Sequence, residues 1–519
     1  MRRRCSMLVV LHAGTMSGPA RNFRPRLAAL EDVSSTVILP EDGAAARFYA
    51  DVAIVRTLDY ARLVVPRRPV AVLGALRDQL KSVAVMRRAL KDSNAEVLLT
   101  VTTVVPAAVI AARLQRKTIL VYCGELLTGR GGARGLVDCV LVLILTRTAD
   151  GIMTCSELAA EPFRRAGGKA RITTLYPGIE PSDFADGDRE AGRAALGLAA
   201  GAGPVVLSVG NVTPARGQDV LIEAMAPLRR TFPEAVCVIA GAAHTPADRQ
   251  FADRLERLAK STGPGEAVRF VGQVDDLRDT FAAADVVVNP CRFDEPFGRV
   301  AFEAICAGRP VVSSRTGAVT ELLEHGVSAL LVPPERPAEL ASAIGEVLTK
   351  EDLARSLVTG GRKIVDDVLL AGTQTERFVT FFENVRESSL AAGSRRSDSP
   401  TRERGLRVLV LDDGSCPVDV VEKAGIAIDR LPLKPLRRLG AAGLLRALVR
   451  ELPSFRPHLV DVRSSDARTA LVGRLAAWYW GLPSVRLGKD YSAESSPGEV
   501  DRAYLNTINA AYGAPQVRG

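Results

Sequence analysis

Short apolar runs alternate with longer helical stretches in the first part of the chain. Runs rich in Val, Leu and Ile occupy residues 6–11, 97–101 and 118–122, and each is followed by a turn and a helical pattern. Continuous apolar runs of this kind are typical of strands in a parallel sheet that is covered by helices on both faces. The pattern therefore predicts a doubly wound α/β domain over residues 1–195.

The same alternation starts again at residue 204 and predicts a second Rossmann-like domain over residues 200–386. Its strands are expected at residues 204–210, 235–240, 268–271, 285–288 and 310–313. Residues 176–179 read Tyr-Pro-Gly-Ile, which is a turn of the kind that connects domains.

The periodicity is lost over residues 387–404, which are polar and basic, and we expect a flexible linker there. It returns in residues 405–519, where the order of elements is that of the opening half of the first domain. Strands and helices are expected at 406–411, 440–452, 458–462 and 467–480. The sequence thus predicts a third, partial Rossmann-like unit.

The composition narrows the class of the protein. With 519 residues, 47% hydrophobic and 24% charged, the chain is neither a disordered tail nor a disulfide-stabilised miniprotein. The net charge of +9 favours anionic partners such as nucleotides or phospholipid headgroups. The eight cysteines include no CxxC pair, so we expect reduced, mostly buried thiols and no metal site.

Nothing near the start resembles a signal peptide, because the apolar run after the first arginines is too short. The longest apolar stretch, residues 136–145, contains Asp138 and is about half as long as a membrane span of roughly 20 residues. We therefore expect a buried helix there. These features favour a cytoplasmic protein, and the positive charge is compatible with peripheral contact at the inner face of a membrane.

The most informative segment is residues 286–312, which read as strand, loop, helix and strand. Pro296 and Gly298 predict a tight turn that opens the helix, and Gly308 is expected just after its last turn. The loop leaves the carboxyl end of a parallel strand, where α/β sheets bind ligands. The free amides of this turn can bind a diphosphate.

Two carboxylates flank this turn. Glu295 precedes the helix, and Glu303 lies in an otherwise apolar helical sequence. A buried carboxylate is costly unless hydroxyl or amide donors meet it, and vicinal sugar hydroxyls would do so. The alternative stays open that Glu303 faces solvent and that Glu295 is an ordinary acid at a helix N-terminus.

Taken together, these residues resemble the retaining GT-B glycosyltransferases of the glycosyl transferase group 1 family, also called family 4. The resemblance rests on the E-x7-E signature from Glu295 to Glu303 and on the segments at 209–224, 308–312, 316–321 and 326–334. It implies two Rossmann-like domains facing a cleft. It also implies transfer of a sugar from a UDP- or GDP-linked donor with retention of configuration, without a metal ion and without nucleic acid as partner.

The resemblance also assigns roles to residues. Glu303 would hold the donor ribose, and Glu295 the hydroxyls of the donor sugar. Phe297 and Gly298 would offer backbone amides to the diphosphate. Arg216 stands where the family has a phosphate-binding Lys, so Arg216 and Glu295 are expected to stabilise the charges that separate during transfer.

Five further donor contacts are expected around the diphosphate. Gly210 ends a strand, and Asn211 follows it where the family usually has an Arg, so one cation is missing. In the first domain, Gly14 and Gly18 lie in the loop after the first strand, where close backbone approach is needed. Arg21 can supply the cation that Asn211 lacks.

A second departure concerns the donor sugar. Many relatives have a His where this chain has Cys123, and that His contacts the donor sugar. Cys123 and the nearby Glu125 are therefore candidate sugar contacts.

The sequence thus predicts a glycosyltransferase that acts on an unknown glycan, lipid-linked or small-molecule acceptor, in glycan, glycolipid or cell-envelope biosynthesis. The alternative is a catalytically weak GT-B relative that serves as a binding or scaffold subunit. An epimerase or phosphorylase is less favoured, and a dehydrogenase is disfavoured because no GxGxxG follows a strand. Residues 405–519 are expected to serve regulation, partner docking or formation of a homo-oligomer.

Overall fold

A computed structural model describes residues 5–16, 18–64, 71–128, 132–199, 201, 203–262, 267–274 and 276–397, and four strands beyond residue 406. The chain divides into two units, Met1–Arg386 and Glu387–Gly519.

The first part of the larger unit is a parallel sheet with helices between its strands. Its strands are β1 (Cys5–Val10), β2 (Val33–Leu39), β3 (Ile54–Thr57), β4 (Val97–Thr100), β5 (Thr118–Cys123), β6 (Gly151–Thr154) and β7 (Arg171–Thr174). Its helices are α1 (Gly18–Ala28), α2 (Ala44–Tyr49), α3 (Ala71–Asp92), α4 (Pro106–Leu114), α5 (Gly132–Thr148) and α6 (Glu157–Ala166). The strand order is β3-β2-β1-β4-β5-β6-β7, as in a doubly wound fold.

A second parallel sheet follows. Its strands are β8 (Val205–Val209), β9 (Val236–Ala240), β10 (Val268–Gly272), β11 (Val286–Asn289), β12 (Val311–Ser314) and β13 (Leu330–Val332). The helices from this part of the chain are α7 (Arg189–Ala195), α8 (Gln218–Thr231), α9 (Pro246–Ser261), α10 (Leu277–Ala283), α11 (Arg299–Cys306), α12 (Val319–Leu322), α13 (Pro337–Thr349), α14 (Glu351–Ile364) and α15 (Ala371–Ser397). The order β10-β9-β8-β11-β12-β13 reverses direction between β8 and β11, which opens a crevice at the carboxyl ends of the strands.

Both sheets are buried on both faces, which explains their continuous apolar runs. Along β1, Met7 and Val9 join the core cluster on one face, whereas Leu8 and Val10 join the cluster on the other. Side chains alternate between the faces of a strand, so a strand covered on both sides needs apolar residues at every position. The strands expected from these runs in both domains are confirmed.

The domain boundaries differ from the predicted ones because two segments pack on the other domain's sheet. Ile179 and Phe184, from the segment assigned to residues 1–195, lie in the core of the second sheet. Phe378 and Phe382 of α15, assigned to residues 200–386, are fully buried in the core of the first. An amphipathic helix shows which of its faces is apolar but not which sheet will cover that face.

The prediction of a flexible linker from residue 387 is wrong for residues 387–397. These residues continue α15 to Ser397. Their Glu, Leu, Ala and Arg residues are good helix formers, so a helix already anchored by buried phenylalanines extends through them. Residues 398–404 lie outside the described residues.

The apolar stretch at 136–145 forms part of α5, but its burial is one-sided. Leu141 and Leu145 are buried, whereas Cys139 and Val140 are exposed, so the predicted buried helix is buried on one face only. Across the described parts of the chain, none of the helices has the length and apolar content needed to cross a bilayer. Of the seven described cysteines, six are buried and Cys139 is exposed.

The second unit contains a parallel sheet formed by β14 (Arg407–Asp412), β15 (Ala427–Pro432), β16 (Leu459–Arg463) and β17 (Ser484–Val485). Its order β15-β14-β16-β17 repeats the order β2-β1-β4-β5 at the centre of the first sheet. The strands predicted at 406–411 and 458–462 are present within one residue. The helices predicted at 440–452 and 467–480 lie outside the described residues.

Candidate active site

The predicted turn lies between β11 and α11. Gly298 is the residue before α11 and has a φ of 84°, in the left-handed region that favours glycine. A Cβ at this position would lie 2.5 Å from Cγ2 of Val319. Gly308, just after the last turn of α11, has a φ of 72° and ends the helix as expected.

Glu295 is buried and pairs with Arg216. Nη1 of Arg216 lies 2.7 Å from Oε1 of Glu295, and the two side chains are 25% and 12% exposed. Burial is the largest single influence on Arg216 and lowers its pKa, but the charges and hydrogen bonds of Glu295 and Cys291 together outweigh it, so the pKa of the guanidinium is raised. Burial and the same carboxylate raise the pKa of the neighbouring Cys291 thiol to about 12. The site therefore holds a fixed positive charge beside a neutral thiol.

Arg216 ends a short 3₁₀ turn that Arg292 holds in place. Arg292 Nη1 donates to the carbonyl of Pro214 at 3.0 Å, and its Nη2 pairs with Asp219 at 2.7 Å. A Cβ on Gly210 would lie 3.7 Å from Nε of Arg216, so this glycine lies directly beside the guanidinium. Asn211 is exposed, and its backbone carbonyl accepts a hydrogen bond from Gln218 at 3.0 Å.

The backbone of Glu295 is fixed by the loop after β12. Ala318 donates its amide to the carbonyl of Glu295 at 3.0 Å, and Gly317 donates to Oδ1 of Asp294 at 3.0 Å. Gly317 has a φ of 62°, and a Cβ there would lie 2.2 Å from the Glu295 nitrogen. The glycine at this position allows the two loops to approach closely enough to position Glu295.

Glu303 is also buried, with 7% of its surface exposed, so it does not lie on a solvated stripe. Its Oε1 accepts a hydrogen bond from Nε of Arg299 at 2.9 Å, one helical turn earlier. Its second oxygen, Oε2, accepts no hydrogen bond from the described residues. This oxygen is available to a ligand hydroxyl.

Between the two glutamates, the amides of Phe297, Gly298 and Arg299 donate no hydrogen bond to the described residues. The Phe297 side chain is buried and stacks on Phe302, with ring centroids 5.2 Å apart, so only its backbone can face a ligand. Free amides at the start of a helix favour a bound anion. The same described residues contain no group of His, Cys, Asp and Glu side chains that could hold a metal ion.

The three residues predicted to contact the donor in the first domain, Gly14, Gly18 and Arg21, have different surroundings. Gly14 is buried, and a Cβ there would lie 2.6 Å from the Glu41 carbonyl, so packing against a neighbouring loop explains this glycine. Gly18 is exposed with open space around it. Arg21 is exposed on α1. The structure does not bring Arg21 into contact with Arg216 or Glu295.

Cys123 and Glu125 form a buried polar cluster after β5. The Cys123 thiol donates to the Glu125 carbonyl at 3.1 Å, and burial raises the pKa of the thiol well above its usual value. The Glu125 carboxylate accepts hydrogen bonds from Thr102 and Thr103 at 3.3 and 3.2 Å. Burial raises the pKa of this carboxyl despite those hydroxyls. Cys123 is therefore a neutral thiol, which is a weak hydrogen-bonding group, whereas an imidazole at this position would have two ring nitrogens able to form hydrogen bonds.

Hydrogen bonds between described residues join the two domains around the turn. Arg299 Nη1 donates to Oδ1 of Asn22 on α1 at 3.2 Å, and the Cys155 thiol donates to the Pro296 carbonyl at 3.5 Å. Glu321 of α12 accepts hydrogen bonds from the amides of Glu157, at 2.9 Å, and Leu158. These are the first amides of α6, which lack partners within the helix, so Glu321 caps a helix of the opposite domain.

Replacing Glu321 by alanine is expected to lower the free energy of unfolding by about 1–2 kcal/mol, because two helix amides lose their acceptor. Urea denaturation measures this change. Glu324→Ala is the matched control, since Glu324 is exposed and its carboxylate makes no hydrogen bond or ion pair with the described residues, whereas its backbone bonds to Ser328 are kept in the variant. Equal stability of the two variants would contradict the capping role.

The pH dependence of the Glu321→Gln variant has a definite sign. Burial raises the pKa of Glu321, and the two amides offset this only in part. A carboxyl whose pKa is raised on folding makes the protein less stable as the pH rises through that range. The neutral glutamine should therefore gain stability relative to wild type between about pH 4 and 7, and a relative loss would be contrary to this assignment.

Sequence reasoning missed several residues of this site. The Arg299–Glu303 pair has helical i,i+4 spacing and was detectable from that signal. Asn22 lies 277 residues from Arg299, and Glu321 lies 164 residues from Glu157, so no local pattern indicates either contact.

Comparisons with known proteins agree with this geometry. Residues 194–364 match the model of the family described as glycosyl transferases group 1. The chain is 36% identical over 207 residues to D-inositol 3-phosphate glycosyltransferase 2 of Catenulispora acidiphila, covering 38% of this chain and 47% of that protein. It is 34% identical over 257 residues to a D-inositol 3-phosphate glycosyltransferase of Mycolicibacterium vanbaalenii, covering 46% and 54%. The chain spans about half the length of the curated relatives it matches.

Solved structures show the same fold. HepE of Anabaena, crystallised in complex with UDP-glucose, has a TM-score of 0.62 at 22% identity, covering 73% of this chain and 99% of its own. Sucrose-phosphate synthase of Thermosynechococcus elongatus has a TM-score of 0.60 at 21% identity, covering 74% and 100%. The two Rossmann-like domains thus form a GT-B fold. Residues 194–364 of the chain thus match the glycosyl transferases group 1 family, within a larger unit that has the GT-B fold.

Proposed function

We propose that this protein is a retaining glycosyltransferase that moves a sugar from a nucleotide-sugar donor to an acceptor hydroxyl. One observation carries the proposal: two buried carboxylates, Glu295 and Glu303, flank a turn with free amides, and each is paired with an arginine. Hydroxyl-rich and anionic parts of one ligand can be bound side by side in such a site. The family match supports the same activity.

The donor is proposed to lie across the turn. Glu303 binds the ribose through its free oxygen, and the amides of Phe297 and Gly298 bind the diphosphate together with Arg216. Glu295 binds hydroxyls of the donor sugar. Arg216 and the helix amides stabilise the negative charge that develops on the leaving diphosphate, and no metal ion is needed for that role.

The reaction is proposed to need no protein nucleophile. The bond between the anomeric carbon and the diphosphate oxygen breaks, and the acceptor oxygen forms a new bond on the same face of the sugar. The acceptor proton passes to the departing phosphate oxygen. The protein contributes by stabilising this charge-separated transition state more than the bound donor.

A UDP- or GDP-linked donor is proposed, and the likeness to HepE crystallised with UDP-glucose favours UDP. The inositol phosphate acceptor named for the curated relatives is not carried over, because the family match covers residues 194–364 and the first domain is expected to hold the acceptor. Glu125 is the proposed sugar contact in that domain, since Thr102 and Thr103 already orient its carboxylate.

The test is proton NMR of the full chain with UDP-, GDP- and ADP-sugars, which follows slow donor hydrolysis and the anomer first released. We expect hydrolysis of one donor with retained configuration. Glu303→Ala should raise the KM for that donor, whereas Glu346→Ala, which removes an exposed carboxylate paired with Lys350, should not. If no donor is hydrolysed and saturation transfer detects no bound nucleotide, the chain is a scaffold or binding subunit instead.

A further inference from the structure

Arg299 connects the donor-side carboxylate to the other domain. Its Nε donates to Oε1 of Glu303 at 2.9 Å, and its Nη1 donates to Oδ1 of Asn22 at 3.2 Å and to the carbonyl of Gly178 at 3.3 Å. The side chain is 29% exposed, whereas Glu303 is 9% exposed. One guanidinium therefore touches α11, α1 and the segment between the domains.

Gly178 lies in one of the two segments through which the chain passes from one domain to the other, and these two segments pair with each other. Ile179 donates its amide to the Leu369 carbonyl at 2.8 Å, and Ala371 donates to the Ile179 carbonyl at 3.0 Å. A Cβ on Gly178 would lie 2.8 Å from Cα of Ala371. We call residues 176–179 and 369–371 the hinge, because both interdomain crossings pair there.

Only one of the two carboxylate oxygens of Glu303 accepts a hydrogen bond from the described residues. Arg299 holds Oε1, and Oε2 accepts no hydrogen bond from the described residues. The hydrogen bond to Oε1 and the burial of the side chain restrict rotation of the carboxylate, so the range of directions open to its free oxygen is narrowed before a ligand arrives. The Arg299 guanidinium itself donates to Asn22 of the first domain and to Gly178 of the hinge. The orientation of the Glu303 carboxylate therefore depends on the relative position of the two domains.

We propose that Arg299 is a positioning residue that orients Glu303 for the donor ribose and couples ribose binding to the hinge. The inference rests on the proposed function, because it assumes that Glu303 binds ribose. Arg299 does not contact the reacting atoms. It acts through Glu303, and Asn22 is the first-domain end of the coupling.

The test compares each of UDP, GDP and ADP with its 2′-deoxy form by isothermal titration calorimetry on the full chain. The ratio of the two dissociation constants reports the ribose contact alone. For the nucleotide that wild type binds, Arg299→Leu should weaken binding of the ribose form about tenfold and binding of the 2′-deoxy form much less. The preference for the ribose form, given by the ratio of the two dissociation constants, should therefore be largely lost. Asn22→Ala should reduce the same ratio, and the double variant should lose less than the sum of the two.

Arg362→Leu is the matched control. Arg362 makes an i,i+4 pair with Asp366 at 2.9 Å, the same spacing and length as the Arg299–Glu303 pair, away from the turn. Its ratio should equal that of wild type. An unchanged ratio in Arg299→Leu would overturn the inference alone. A wild type that binds none of the three nucleotides would overturn the proposed function, and the inference with it.

Discussion

Arg216→Ala is expected to reduce kcat by about 10²–10³-fold, the usual effect of removing one group that stabilises a developing oxyanion. Arg216 is the cation whose guanidinium lies 2.7 Å from Glu295 and beside Gly210, the glycine that follows β8. Its loss removes positive charge from the proposed diphosphate site and leaves the buried Glu295 carboxylate without its partner. Turnover of the identified donor, measured with the acceptor or as donor hydrolysis, gives the effect.

Arg216→Lys is the matched comparison, because it keeps the charge and has the side chain that the family usually carries at this position. It should recover most of the lost turnover. Thermal unfolding separates this effect from the stability cost of leaving Glu295 unpaired, which should be about 1–3 kcal/mol. If the alanine variant kept wild-type kcat, Arg216 would have no role in charge stabilisation.

Gly317→Ala should reduce the rate of donor turnover by about a hundredfold or more while leaving a folded protein. A Cβ there would lie 2.2 Å from the nitrogen and 2.4 Å from the carbonyl oxygen of Glu295, so the backbone that presents the carboxylate must shift. We expect this shift to disturb the pairing of Glu295 with Arg216 and its proposed contact with a donor sugar. A small displacement of a positioned group is enough to lose about a hundredfold in rate.

Gly308→Ala provides the control for backbone strain. Gly308 has a φ of 72°, close to the 62° of Gly317, but a Cβ there meets nothing within 4 Å. Both variants should lose about 1–2 kcal/mol of stability from the left-handed conformation. Only Gly317→Ala should lose activity, and equal activity in the two variants would contradict the account of the Glu295 loop. Circular dichroism melts and the hydrolysis assay supply the two measurements.

The two departures from the family pattern have different consequences in the structure. Asn211 is exposed and uncharged, where the family usually has an arginine. Arg216, paired with Glu295, therefore supplies positive charge beside Gly210 without help from position 211. Arg21, which sequence reasoning offered as a replacement, stays on the exposed surface of α1. Cys123 is fully buried and donates within its own loop, so the neighbouring Glu125 is the polar group better placed to take over a sugar contact.

The hydrophobic pattern predicted β1, β4 and β5 of the first sheet and β8 to β12 of the second, but not β2, β3, β6, β7 or β13. It also predicted the succession of two domains. A strand buried on both faces needs an apolar side chain at every position, and that requirement is local. The turn from Glu295 to Gly298 was also predictable, because its signal is local as well. Proline and glycine restrict or permit backbone conformations by themselves, whatever lies around them.

Contacts between distant segments were decided only by the tertiary structure. The sequence indicates that α15 has an apolar side, but not that Phe378 and Phe382 cross back to the first sheet. It indicates that Glu303 is unusual in an apolar helix, but not that Arg299 joins it to Asn22. Local propensity determines which elements form, whereas the placement of one element on another depends on burial and hydrogen bonds summed over the whole domain.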